Sequence, residues 1–104
     1  MAITSKIIPF EVPFAKPITL GGRRFEVRQG CLLRLSLNGL TGWGECAPLP
    51  GFSDETYPAA LADLRESLTQ IAQGSSPEPK TPSAACAVDA AFQGLAQAGS
   101  PDMA

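Results

Sequence analysis

Asn38-Gly39 lies between two runs of alternating apolar and polar residues, and no other pair in the chain constrains the fold as much. Both residues tolerate positive φ, which a two-residue type I′ turn demands. The run before it places Phe25, Val27, Cys31, Leu33, Leu35 and Leu37 on one parity, interrupted only by Gln29. The other parity is mostly Arg24, Glu26, Arg28, Arg34 and Ser36. This pattern predicts an antiparallel strand with one buried and one wet face, and Gly30 marks a bulge or a break in it. With Asn38 and Gly39 as the loop, Leu37 faces Leu40, Leu35 faces Gly42 and Leu33 faces Gly44. The two glycines then leave room on the core face for a helix backbone to come close. On the opposite face Arg34 falls across from Trp43, a cation–π pair worth ~0.5–1 kcal/mol when exposed. Cys31 falls across from Cys46 at a hydrogen-bonded position, with Cα atoms roughly 5.5 Å apart.

Upstream, Ile8, Phe10, Val12 and Phe14 are apolar at period two and predict a further strand. Pro9 and Pro13 share the opposite parity, so both missing N–H donors fall on one edge, and the strand is expected at the edge of its sheet. Downstream, Ser53 reads as a helix N-cap, followed by Asp54 and Glu55, which suit the positive end of a helix dipole. Pro58 falls one turn inside, so the helix either distorts its first turn or starts properly at Pro58. Leu61, Leu64, Leu68 and Ile71 form its apolar stripe, and Gly74 ends it. Thr81-Pro82 reads as an N-cap with proline at the first helical position. A second stripe follows in Ala85, Val88, Ala91, Phe92 and Leu95, narrow and alanine-rich, before Gly99 and Pro101. The expected architecture is α+β: a three-stranded antiparallel sheet followed by helices packed on one face.

Size and composition restrict function. A chain of 104 residues with 44% hydrophobic and 17% charged residues is one globular domain. Its net charge is −2, and Arg23-Arg24 is its only adjacent basic pair, so nucleic-acid binding is not expected. No apolar run approaches the ~20 residues of a membrane span, and no signal peptide is apparent, which favours the cytoplasm. Three cysteines without a Cys-x-x-Cys, and no histidine, argue against a disulfide framework, a zinc site and any His-dependent nucleophile. A reducing compartment is expected to keep Cys31 and Cys46 as thiols.

No catalytic constellation and no metal site are expected. Glu45 is the one carboxylate beside a constrained aromatic loop, and it is expected to accept backbone or hydroxyl hydrogen bonds that fix that loop rather than to act as a buried acid. Arg23 and Arg24 follow Gly21-Gly22 between the first two strands. They read either as a solvated turn or as a mobile lid whose cation meets an anionic substrate. Phe52 stands at the tip of a proline- and glycine-rich loop. There it either folds under its own helix or fills a partner surface.

Three segments carry a family resemblance: Ile18–Arg24 with its following strand, Gly42–Thr56, and Pro82–Ala91. Gly42-Trp43-Gly44-Glu45-Cys46-Ala47-Pro48-Leu49-Pro50-Gly51-Phe52-Ser53-Asp54-Glu55-Thr56 is the most specific. The chain resembles the N-terminal capping domain of the enolase superfamily, and within it the o-succinylbenzoate synthases. The resemblance implies an α+β cap over a modified TIM barrel that holds Mg²⁺ on three carboxylates and places lysines on either side of the substrate; one lysine abstracts a proton alpha to a carboxylate, the metal stabilises the enediolate, and water is then eliminated on the way to menaquinone or phylloquinone. It also implies two cap loops over the barrel mouth, about Thr19 to Arg24 and Pro48 to Ser53. Leu20, Gly21, Arg23, Pro50, Gly51, Phe52 and Ser53 are the expected substrate-facing residues, with Phe52 and Leu20 as apolar walls and Arg23 toward a carboxylate.

A barrel needs ~200 residues or more, so residues 1–104 read as a single capping domain truncated before its barrel. Such a domain has no catalysis of its own, and its Mg²⁺ belongs to the absent barrel. The expected partners are that barrel and a small-molecule carboxylate, with no nucleic acid and no membrane. Apolar surface left bare favours self-association of the isolated domain. Two other readings remain: the cap of a dipeptide epimerase or N-acylamino acid racemase, and a stand-alone binding module.

Overall fold

The computed structural model describes residues 3–20, 22–48 and 55–98, apart from the side chains of Ile18, Leu20, Arg23 and Phe25. Three antiparallel strands, β1 (Thr4–Leu20), β2 (Arg23–Leu37) and β3 (Leu40–Cys46), are followed by helices α1 (Tyr57–Ala72) and α2 (Pro82–Ala98). Strand order is β1-β2-β3. The architecture is the α+β layer expected from the sequence.

The β2–β3 hairpin has the expected register throughout, from Leu37 opposite Leu40 to Cys31 opposite Cys46. Asn38 and Gly39 have φ of 53° and 80°, the positive values of a type I′ turn. Arg34 lies over Trp43 with its guanidinium carbon 6.0 Å from the ring centroid, at the outer limit of a cation–π contact. Because the two-residue turn makes Leu37–Leu40 a hydrogen-bonded pair, odd positions of β2 bond toward β3 and even positions toward β1. Pro9 and Pro13 pair with Cys31 and Val27, both odd, so their missing donors point to the free edge of β1. The prolines therefore cost the ladder nothing.

β1 is longer than its apolar pattern predicts. Its register with β2 shifts between Pro13 and Ile18, where four residues of β1 oppose only Glu26. Arg23 and Arg24 are correspondingly not loop residues, as expected, but the start of β2, with Leu20 opposite Arg23 and Thr19 opposite Arg24. Extended pairing reaches the Gly21-Gly22 connection because the shift absorbs the residues that would otherwise form a wider loop.

The core lies between the odd face of β2 and the helices. Cys31, Leu33, Leu35 and Cys46 are fully buried there with Ala60, Leu64, Ala84, Ala87 and Ala91. Cross-strand partners share a face, so Ile8, Phe10 and Val12, opposite Leu32, Gly30 and Arg28, lie on the face away from the helices. Ile7, opposite Leu33, packs against the core instead. The outer face is thus partly apolar: Val12 is 51% and Trp43 48% exposed.

α2 lies directly on β3, and the glycines there decide how closely. A methyl group at Gly42 would overlap the Ala91 carbonyl and stand 2.6 Å from the Leu95 nitrogen, and one at Gly44 would overlap the Ala87 carbonyl. The contact is backbone against backbone. The helix stripe is accordingly rotated from the expected one: Ala84, Ala87, Val88, Ala91 and Leu95 are buried, and Ala85 and Phe92 are half-buried. Small side chains win the sheet-facing positions because nothing larger fits.

α1 starts later than Ser53, the expected cap, which falls outside the described residues. Thr56 is the N-cap, with its side chain accepting from the Ala59 nitrogen at 3.3 Å. Pro58 then occupies the second helical position, where its missing N–H would have had no helical partner. At the other end Gln73 is the C-cap. Gly74 follows at φ 78°, and the Ser75 nitrogen donates to the Gln70 carbonyl at 2.9 Å, closing the helix in the manner that favours glycine.

Replacing Gly44 by alanine must push α2 off the sheet, since backbone cannot yield as a flexible side chain can. The expected loss is about 3 kcal/mol of unfolding free energy, at the upper range for overpacking, read from urea denaturation. A Gly39→Ala control loses stability only through its turn φ. Equal stability of Gly44→Ala and wild type would show that the helix does not pack this closely.

Candidate functional site

Topology brings the two expected cap segments to one end of the sheet. β2 begins at Arg23, and β3 pairs with it only from Cys31 onward. The residues of β2 before Cys31 extend past the end of β3 as a two-stranded ribbon with β1. At ~3.3 Å per residue the overhang is about 26 Å. Gly22 sits at the tip of this ribbon, and the chain leaves β3 at its base.

Of the expected substrate-facing residues, Leu20 and Arg23 are placed by backbone alone, opposite each other at the end of the ribbon. Gly21, Pro50, Gly51, Phe52 and Ser53 lie outside the described residues. Arg24 is exposed, and its Nε is 3.3 Å from the equally exposed Glu26 Oε1, an ion pair worth little in water. Glu45 is exposed on the outer face of β3, opposite Leu32, and no hydrogen bond ties its carboxylate to another described residue.

What fastens the described ends of the β3–α1 segment comes from elsewhere. Pro48 offers no N–H to continue the ladder. Ala47 folds against Gly30, where an added methyl would lie 2.6 Å from the Ala47 Cβ and 2.7 Å from the Phe10 ring. Arg28 Nη2 donates to the Ala47 carbonyl at 2.7 Å, while its Nε is buried with no hydrogen-bond partner among the described residues. Beneath, the buried Cys31 and Cys46 thiols lie beside Tyr57, the first residue of α1. Burial and the neighbouring Cys31 push the Cys46 thiol up to about 12, and burial raises Cys31 as well. Both are neutral thiols with little nucleophilic character.

At the other end, Glu55 precedes the cap of α1 and serves α2. Its Oε1 accepts from the Ser83 nitrogen at 2.9 Å and from the Ser83 hydroxyl. This corrects its expected place in the first turn of α1 and follows from the later helix start. Asp63, from α1, adds a second carboxylate at the same helix end. Its Oδ2 accepts from the Lys80 nitrogen at 2.8 Å, the Thr81 nitrogen at 2.7 Å and the Thr81 hydroxyl at 2.8 Å. The Ser83 hydrogen bonds hold the Glu55 carboxyl below its ordinary range. Burial alone would raise Asp63, but its hydrogen bonds from Thr81 and Lys80 outweigh that and lower it. The roles of Arg28, Glu55 and Asp63 have no local signature, because their partners are 17 to 28 residues away in positions that only the packing brings near.

Among the described residues no group of three or more His, Cys, Asp or Glu side chains could hold a metal ion. Magnesium does not fit this chain's described donors. Among the described residues no helix is long and apolar enough to cross a membrane.

With this geometry in view, the chain matches a family model described as "MenC, N-terminal domain" over residues 3–95. It is 36% identical over 89 residues to the o-succinylbenzoate synthase of Citrobacter koseri, covering 86% of this chain and 28% of that protein. It is 32% identical over 93 residues to that of Escherichia coli, covering 89% and 29%. The chain thus spans less than a third of the length of these curated relatives. Among solved structures it resembles the o-succinylbenzoate synthase of Thermosynechococcus elongatus BP-1, which was crystallised with magnesium in its active site. That match has a TM-score of 0.52 and 34% identity, over 64% of this chain and 21% of that one. An L-Ala-D/L-Glu epimerase matches with a TM-score of 0.72 over 92% of this chain and 30% of its own, at 22% identity, a likeness of fold alone.

The two carboxylates give the domain a pH dependence of definite sign. A carboxyl lowered by folding stabilises the native state above its ordinary value, 3.8 for Asp63 and 4.5 for Glu55, and that contribution disappears as pH falls through the lowered value. Asp63→Asn should therefore lower the urea midpoint at neutral pH, and the gap to wild type should close below pH about 3.8. A gap that stays constant down to pH 2 would exclude this linkage.

Proposed function

The chain belongs to the MenC N-terminal domain family, and from that premise we propose that it is the active-site cover of an o-succinylbenzoate synthase-like lyase whose proton chemistry occurs on a separate barrel domain. The family match across nearly the whole chain carries this reading. The geometry supports it, since the β3–α1 segment leaves the sheet at the base of the ribbon that carries Thr19 to Arg24 toward its tip, and its described ends are fastened. A cover acts by excluding water and shaping the mouth of a site, so that charge developing on the substrate meets fixed groups in place of solvent. For that the segment must arrive in one geometry.

Within this reading Leu20, Gly21, Arg23, Pro50, Gly51, Phe52 and Ser53 face the substrate, a small carboxylate. Phe52 and Leu20 form apolar walls and Arg23 meets an anionic group. Glu45 organises the loop that follows it. Mg²⁺ held by the barrel would supply positive charge to a substrate losing a proton alpha to its carboxylate, and this chain's residues would act around it by walling off the site. Loss of water then yields o-succinylbenzoate, in the cytoplasm, on a route to menaquinone or phylloquinone.

The purified 104-residue chain should give no Mg²⁺-dependent formation of o-succinylbenzoate, and measurable turnover by pure material would overturn the division of labour. In a polypeptide that joins this chain to the barrel, Phe52→Ala should lower kcat/KM by about tenfold while leaving the urea midpoint near wild type. A loss of several kcal/mol in unfolding free energy, of the size seen for buried phenylalanine, would place Phe52 in the core instead.

A further inference from the structure

β1 is the longest strand, with 17 residues, and among the described residues only β2 pairs with it. Its odd positions from Ser5 to Pro13 lie opposite odd positions of β2, so their backbone groups point to the open side of the sheet. An open strand edge of this length is a template for another chain. Beside it, on the face away from the helices, Ile8 and Phe10 are half-buried and Val12 is 51% exposed. A further strand would cover apolar surface there.

With a full set of donors this edge would suit a second copy of the chain. Antiparallel pairing about a two-fold axis at residue 9 would set Ile7 opposite Glu11 and Ser5 opposite residue 13. On the outer face it would set Ile8 opposite Phe10 and Lys6 opposite Val12. No like charges meet, and aromatic–aliphatic pairs across strands are stabilising. The residue types at 9 and 13 forbid the ladder. Proline has no N–H, and its ring fills the space that a facing carbonyl would enter. In this register Pro9 meets Pro9 of the copy and Pro13 meets Ser5. Moving the axis to Ile7 sets Pro9 opposite Ser5. Moving it to Glu11 sets Pro9 opposite Pro13 and brings two carboxylates together. Both prolines share the parity that points outward. They take nothing from the pairing with β2 and act only on what approaches from outside.

We propose that Pro9 and Pro13 close the β1 edge to a second copy of this chain. The closure concerns β1 alone and holds whatever the other end of the domain covers.

Pro9→Thr with Pro13→Thr returns both outward donors. In the 104-residue chain this double variant should self-associate at least about tenfold more tightly than wild type, measured by sedimentation velocity. Amide exchange at Ser5, Ile7 and Glu11 should slow in the variant as its concentration rises, and should stay fast in wild type. Adding Glu11→Pro puts a missing donor back on the same edge and should weaken the association again. The urea midpoint of the dilute variant should stay near wild type. Unchanged association in the double variant overturns the proposal. So does association that Glu11→Pro leaves intact, because the outward N–H groups are then not its cause. A lower midpoint with no gain in association makes the prolines stiffeners of the chain and also overturns it. Wild-type chain that already pairs through β1, seen as concentration-dependent protection of the same amides, does so too. If the double variant does not fold, Pro9→Thr alone is judged by the same measurement, and no gain in association again overturns the proposal.

Discussion

The approach of α2 to β3 governs the rest of the molecule. Gly42 and Gly44 present bare backbone to the carbonyls of Ala91 and Ala87, and no side chain separates strand from helix. Ala84, Ala87 and Ala91 continue this closeness along the helix. An added Cβ at Gly94 would itself stand 3.0 Å from the Gly42 Cα. Contacts at this distance lose their dispersion energy steeply with any displacement, so the helix has one favourable seat on the sheet. Once α2 is seated, its N-terminus is fixed, and with it the point to which Glu55 and Asp63 attach.

From that seat the ends of the β3–α1 segment are determined by groups remote in sequence. Glu55 accepts from Ser83 in the first turn of α2 and Asp63 from Lys80 and Thr81 just before it, where backbone donors at a helix start favour carboxylates. Arg28 works from the outer face of the sheet, and Cys31, Cys46 and Tyr57 pack between. The described ends of the β3–α1 segment are therefore fastened, one to the sheet and one to α2. Loops on rigid supports are the usual carriers of function, because a fixed scaffold defines where their tips can go. Glu55 and Asp63 are spent on the N-terminal end of α2.

Much of the hairpin was legible in the residues. Asn38-Gly39 set the turn, the turn set the register, and the register predicted Gly42 and Gly44 on the core face and Arg34 beside Trp43. Pro9 and Pro13 pointed correctly to an edge strand. The misreadings share one cause. The Ser53 cap, the place of Glu55 and the loop containing Arg23 and Arg24 were each judged from neighbours in sequence, whereas the structure decides them by partners elsewhere. Pro58 tolerates a helix start only just before it, and once Thr56 takes the cap, Glu55 is free to reach Ser83. The stripe of α2 was rotated for a similar reason: periodicity identifies an apolar arc, but the glycines opposite choose which part of it touches.

Sequence by itself determined the local geometry and the family: turn type, strand register, edge position of β1, and the segment from Gly42 to Thr56 whose residues mark the capping domain. These depend on φ preferences and on alternation, which act over a few residues. The tertiary structure decided the side-chain ties at the described ends of the β3–α1 segment and at the start of α2, namely Arg28 to Ala47, Glu55 to Ser83 and Asp63 to Thr81. Each is a hydrogen bond between groups far apart in the chain, and its geometry exists only after α2 has settled on the glycines of β3.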